Sequence, residues 1–236
     1  MVLEICVDSL DQTKAAIKYG ASRIELCSAL DLGGLTPSFG LTKQCNDLSQ
    51  VEVHVMIRPR GGGFVYSSNE VQCMKVDIQS LGNTGAKGVV FGILDKNGSI
   101  NYEINNRLLD LAKSLNLEVT FHRAFDFVKD PEKSLDQLIK AGFDRVLTSG
   151  QENTAIQGID LIKQMVTQSL GRIEIMAGGG VNGSNIEDLY ATGIDAIHFT
   201  ARKPIPQTKD LGMGREYVVD TDKLNYVAEV MNKLKL

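Results

Sequence analysis

The 236-residue sequence contains only four cysteines, Cys6, Cys27, Cys45 and Cys73, and none stands in a CxxC pair. That spacing excludes a zinc ribbon or a thioredoxin-type redox motif. Long apolar runs are missing as well: no stretch approaches the roughly 20 apolar residues that a membrane span needs. The first ten residues contain Glu4 and Asp8 and lack a basic start, so they do not read as a signal peptide. With no export signal, the thiols are expected to be reduced and the protein cytoplasmic. Positive charge is not in excess either. Lys and Arg number 25 against 29 Asp and Glu, a formal net charge of −4, which argues against nucleic acid or an anionic membrane as partner. No linker or low-complexity tract interrupts the chain, so residues 1–236 are expected to form one domain.

At 43% hydrophobic residues, the composition suits a globular protein with a sizeable core. Four segments share a small pattern: Gly20-Ala-Ser-Arg-Ile-Glu-Leu, Gly85-Ala-Lys-Gly-Val-Val-Phe, Gly142-Phe-Asp-Arg-Val-Leu-Thr and Gly193-Ile-Asp-Ala-Ile-His-Phe. A glycine that ends a helix in the left-handed conformation, followed by a β-branched run, is a helix-to-strand junction. Each gap between these junctions holds two strand–helix units rather than one. Apolar runs at 3–7, 53–57, 118–121 and 173–176 supply the other four strands. Ser9 is placed to cap the first helix with Gln12 as a partial capping box, and Asp130-Pro131 opens another helix over 132–141. Eight alternating units without a clear dinucleotide fingerprint predict a single α/β (β/α)8 TIM barrel in preference to an open doubly wound sheet.

Parallel strands covered on both faces are normally apolar throughout, yet these carry Glu4 and Cys6, Glu25 and Cys27, His54, Met56 and Arg58, Thr120 and His122, and His198 and Thr200. Members of each set lie two apart and share a face. Because Leu3, Ile5, Ile24 and Leu26 serve the outer face, the polar sets are expected to point into the barrel or its upper mouth. Either Glu4 or Glu25 simply neutralises Arg58 there, or the group forms a site, which this fold places at the C-terminal ends of its strands. Long or glycine-rich loops follow those ends. Gly178-Gly179-Gly180, preceding a helix expected near Ser184, together with Thr200, occupy the usual phosphate position of the fold. Cys6 and Cys27 fall on adjacent strands at similar height, with Met56 as a third sulfur, a soft set suited to Cu(I). Cys45 and Cys73 fall in helical stretches away from the mouth.

Several motifs are long enough to be specific: Leu3-Glu-Ile-Cys6, Ile24-Glu-Leu-Cys27, Gly33-Gly-Leu-Thr-Pro-Ser38, Ile57-Arg-Pro-Arg-Gly-Gly62, Thr120-Phe-His-Arg-Ala-Phe-Asp126, Arg145-Val-Leu-Thr-Ser-Gly150 and Met176-Ala-Gly-Gly-Gly-Val181. Together they resemble the CutC family over residues 3–202. The resemblance implies a cytoplasmic barrel that assembles as a homo-oligomer and takes part in copper homeostasis by binding Cu(I). Gly63 and Thr200 depart from the expected pattern, standing where an acidic residue and a serine are expected. The segment from Arg202 to Tyr217 matches nothing specific and reads as a surface excursion or a cover over the mouth.

Two functions of different class follow. In the first, Cys27 with Cys6 holds Cu(I) as thiolates. In the second, the protein is an enzyme for a small phosphorylated or otherwise anionic metabolite. Glu25, His122 and His198 would then serve acid–base chemistry, Arg58 or Arg123 would orient an oxyanion, and Gly178, Gly179, Gly180 and Thr200 would hold the anion. No lysine on an inward strand face marks a Schiff base.

Overall fold

Glycine punctuation sets the rhythm of the chain. The computed structural model describes residues 1–48, 50–206 and 214–234. In it Gly20, Gly85, Gly142 and Gly193 take φ values of +84°, +87°, +92° and +86°. Three residues after each, at Arg23, Gly88, Arg145 and Ala196, a strand begins. The elements run β1 (Val2–Val7), α1 (Leu10–Lys18), β2 (Arg23–Leu26), α2 (Phe39–Asn46), β3 (Glu52–Met56) and α3 (Ser68–Ser80). They continue through β4 (Gly88–Phe91), α4 (Tyr102–Ser114), β5 (Glu118–Phe121), α5 (Pro131–Ala141), β6 (Arg145–Thr148) and α6 (Ile159–Ser169). The last are β7 (Glu174–Gly178), α7 (Ile186–Tyr190), β8 (Ala196–Thr200), β9 (Arg202–Pro204), β10 (Tyr217–Val219) and α8 (Thr221–Leu234). Strands β1 to β8 pair in chain order, all parallel, and β8 returns to β1. Closure decides for the barrel over the open sheet.

Helix ends follow local chemistry. Ser9 caps α1 by accepting from the Gln12 amide. The Gln12 side chain reaches one residue further back than a capping box requires and accepts from the Asp8 amide. Asp130 caps α5, with Pro131 as its first residue. The helix expected near Ser184 begins instead at Ile186 and is five residues long. The cause is a side-chain turn: Asn182 Oδ1 accepts from the Ser184 amide while Asn185 Oδ1 accepts from the Asn182 amide, which offers the backbone an alternative to helix. After β8 the chain forms the antiparallel pair β9–β10. Residues 207–213 of the expected excursion lie outside the described residues.

The strand faces divide as their alternation demands. Leu3, Ile5, Ile24, Leu26, Val53 and Val55 join the main apolar core, whereas the barrel interior holds only two small apolar clusters. One comprises Cys6, Cys27, Met56 and Val90, and the other Leu147, Met176 and Ala196. The rest of the interior is polar and ionically paired. Glu4 meets Arg23, its register neighbour on β2. Arg23 Nη2 lies 2.6 Å from Glu174, Arg145 Nε lies 2.7 Å from the same carboxylate oxygen, and Arg145 Nη2 lies 3.0 Å from Glu118. Arg58 takes no part in this chain. The pairing of Glu4 or Glu25 with Arg58 is thereby corrected: the charge that Glu4 needs comes from Arg23 beside it. Removing one member of a buried pair leaves the other uncompensated, at a cost of about 3–5 kcal/mol.

Strand β4 contributes space rather than charge. A Cβ on Gly88 would lie 2.4 Å from His54 Nδ1 and 2.9 Å from the Glu118 carbonyl, and one on Gly92 would lie 2.8 Å from His122 Nδ1. Both histidine rings occupy room that only glycine leaves free. Gly88→Ala is expected to lose about 2–3 kcal/mol of stability through overpacking against ring and backbone, read by urea unfolding. Unchanged stability would show that the His54 ring is not fixed against β4.

Candidate functional site

Above the ionic layer the strand ends open into a cavity of about 410 Å³. Cys6, Glu25 and His198 line its floor, Arg58, His122 and Thr200 its walls, and Phe64, Phe127 and Val181 add apolar surface. Register explains the floor: Cys6 is the partner of Glu25 on β2 and of Thr200 on β8, and Glu4, one step below, is the partner of His198.

The floor is one coupled set. Cys6 Sγ lies 3.2 Å from Glu25 Oε2 and 3.8 Å from Cys27 Sγ, and Cys27 Sγ lies 3.5 Å from the same Glu25 oxygen. His198 Nδ1 lies 2.7 Å from Glu4, and its Nε2 lies 3.7 Å from Glu25. Burial by itself would raise the Glu4 carboxyl, but the His198 hydrogen bond and Arg23 hold it well below the usual carboxylate range. Burial likewise opposes charge on His198, yet Glu25, Cys6 and Glu4 keep it well above an ordinary imidazole. Glu4 and His198 therefore form a buried carboxylate–imidazolium pair. Burial, then the charge on Cys6, pushes Glu25 well above its usual value. Burial, then Cys6, does the same to Cys27. The Cys27 hydrogen bond brings Cys6 down to about 6 against the opposing effect of burial. The arrangement concentrates thiolate character on Cys6, the one thiol of the two that lines the cavity.

The walls differ in kind. Arg58 spends its terminal nitrogens on loop carbonyls: Nη1 donates to Leu32 O (2.9 Å) and Gly34 O (3.1 Å), Nη2 to Gly62 O (2.7 Å). It ties the loops after β2 and β3 together and forms no ion pair among the described residues. His122, 4% exposed, is brought down to about 3 by burial and then by Arg58. Its Nδ1 accepts from the Ala124 amide at 3.1 Å. The glycine run is split. Gly179 and Gly180 line the cavity at φ +100° and +70°. Gly178 lies within β7, where a Cβ would meet Leu147 Cδ1 at 2.6 Å, so close packing accounts for it. Arg123 also lines the cavity but is engaged by Asp126 at 2.7 Å and by the Ser149 hydroxyl at 2.7 Å.

Sequence reasoning missed three parts of the site. Arg23 and Arg145, which sustain the ionic layer, occupy the same position in two of the four glycine repeats, a signal that was present. Lys223, at the start of α8, reaches across the Phe199 ring to donate to the Thr200 carbonyl at 2.8 Å and lines the cavity. It lies outside every motif. The rim clasp is the third: Arg202 pairs with Asp31 at 2.7 Å and stacks on Tyr217, whose hydroxyl donates to Asp31. Cys45 is buried in α2 and Cys73 is exposed on α3, both away from the mouth as expected.

The sequence profile of the CutC family matches residues 1–203. The chain belongs to the CutC family. A CutC protein of Treponema denticola is 49% identical over 210 residues, spanning 88% of this chain and 85% of that one. A human protein named copper homeostasis protein cutC homolog is 45% identical over 213 residues, spanning 90% and 76%. A solved CutC structure from Streptococcus agalactiae superimposes with a TM-score of 0.79 at 38% identity, covering 84% of this chain and 97% of that one. No helix among the described residues is long and apolar enough to cross a membrane.

The two buried neutral histidines make a prediction about pH. Burial lowers His54 to about 3, as it does His122. Below an unfolded value near 6.5 the unfolded chain binds protons there that the folded chain refuses, so stability falls as pH drops toward 3. By pH 5 each histidine is expected to withdraw roughly 2 kcal/mol. Urea unfolding at pH 7 and pH 5 checks this. His54→Gln should lose less stability over that interval than the native protein, and equal losses would contradict it.

Proposed function

We propose that this CutC-family chain binds Cu(I) through Cys6 and Cys27 at the floor of the barrel mouth, in a role in copper homeostasis. The observation that carries the reading is the 3.8 Å separation of the two sulfurs within a cluster that also contains Met56. Metal–thiolate bonds of about 2.3 Å, the length found for zinc, reach across such a gap in a bent arrangement. Two thiols with a neighbouring thioether form a soft donor set of the kind Cu(I) selects, and hard cations are poorly served by it. Glu25, within reach of both sulfurs, accepts or releases the proton that thiolate ligation exchanges. The family membership and the name of the human relative support the same direction. A cytoplasmic setting, which keeps both thiols reduced, and a homo-oligomeric state belong to this reading.

Anaerobic titration of the reduced protein with Cu(I) against a competing chelator tests it. One equivalent should bind tightly. Cys27→Ser and Cys6→Ser should each weaken binding at least a hundredfold, since a hydroxyl is a poor ligand for a soft ion. Affinity unchanged in both variants would remove copper from this site.

A further inference from the structure

A copper ion fills a small fraction of a 410 Å³ cavity. What the remainder is built for shows in its unpartnered polar atoms. Nine buried side-chain nitrogen or oxygen atoms lack a hydrogen-bond partner among the described residues, and four of them belong to cavity-lining residues: Arg58 Nε, His122 Nε2, Thr200 Oγ1 and Glu25 Oε1. Buried groups left unpaired cost about 1–3 kcal/mol each, so four of them on residues that line one cavity point to a place where a ligand completes the bonding.

The polarity of that ligand can be read from the donors. His122 Nδ1 is taken by the Ala124 amide, which makes it an acceptor and leaves the proton of the neutral ring on Nε2. Nε2–H is therefore a donor. Arg58 Nε–H is a donor, and the Arg58 side chain, on a residue 5% exposed, is held by three loop carbonyls with the Phe64 ring and Tyr66 beside it and no carboxylate in ion-pair reach among the described residues. Lys223 adds a second cation that forms no ion pair among the described residues. The Thr200 hydroxyl completes a donor set that includes two cations with no ion pair among the described residues. Such a set is acceptor-hungry and calls for an oxyanion. Glu25 Oε1 alone offers a place for a ligand hydroxyl, and Phe64 and Phe127 give a carbon skeleton an apolar wall.

We propose that the upper cavity is a binding site for a small hydroxylated organic anion, a polyol phosphate or hydroxy acid. In this site His122, Arg58, Thr200 and Lys223 donate to its oxyanion and Glu25 meets its hydroxyl. The site lies above the two thiols and needs no metal, so it stands or falls independently of the copper reading.

Calorimetric titration of the reduced, metal-free full chain with glycerol 3-phosphate and with glycerate tests it and separates the two head groups, with neutral glycerol as the control. Saturable one-to-one binding of at least one of the anions is expected, with glycerol not binding. Thr200→Val removes a hydroxyl with no partner among the described residues, Lys223→Met removes an ammonium held by the Thr200 carbonyl and the Phe199 ring, and each should weaken binding about tenfold. Cys27→Ser should lower Cu(I) affinity while saturable one-to-one anion binding persists. Binding of neither anion, equal binding of glycerol, or affinities untouched by both Thr200→Val and Lys223→Met would overturn the proposal.

Discussion

A carboxylate at Glu4, 1% exposed, persists in the barrel interior only because Arg23 and His198 meet it from the strands on either side. Everything above it depends on that arrangement. Desolvating a lone ion costs several kcal/mol, and the usual escape is to neutralise it. Here the charge is instead passed around the barrel, from Glu4 through Arg23, Glu174 and Arg145 to Glu118 on the solvent side. The parallel register sets Glu4 opposite Arg23 and Arg145 opposite Glu174, while the long arginine side chains supply the other two links: Arg23 reaches across the barrel to Glu174, and Arg145 reaches past its register partner Thr120 to Glu118.

That layer sets the electrostatics of the floor. Glu25, Cys6 and Glu4 together hold His198 well above an ordinary imidazole, and His198 in turn favours charge on Cys6. Burial and the neighbouring Cys6 push both Glu25 and Cys27 well above their ordinary values. The wall answers to a different logic. Arg58 and Lys223 form no ion pair among the described residues, and His122 is a neutral ring whose tautomer is set by a single amide. A mouth with a sulfur-rich floor and an oxyanion-seeking wall has two chemistries stacked one above the other.

The fold was legible because its rule is local. A left-handed glycine followed by a β-branched run needs no knowledge of the rest of the chain, and all four junctions obey it. Inward faces were equally legible, because alternation assigns Glu4, Cys6, Glu25, Cys27 and His198 to one side of their strands. Pairing was not. Whether Glu4 meets Arg23 or Arg58 is decided by register and by loop carbonyls, neither of which has a sequence signature. The split within the glycine run is of the same kind: Gly178 packs and Gly179 lines the cavity, a difference of one residue in where the strand ends. Lys223 was out of reach altogether, since its place depends on how α8 returns to the mouth after the β9–β10 pair.

The depth ordering of the two thiols imposes an order of access. Cys6 borders the cavity, while Cys27, fully buried, sits behind it with Gly34 packed close over its sulfur. Anything arriving through the mouth meets the more acidic thiol first and the sheltered one second. The two thiols are therefore not equivalent: Cys6 is open to the mouth, whereas Cys27 is reached only past Cys6 and the backbone packed over its sulfur.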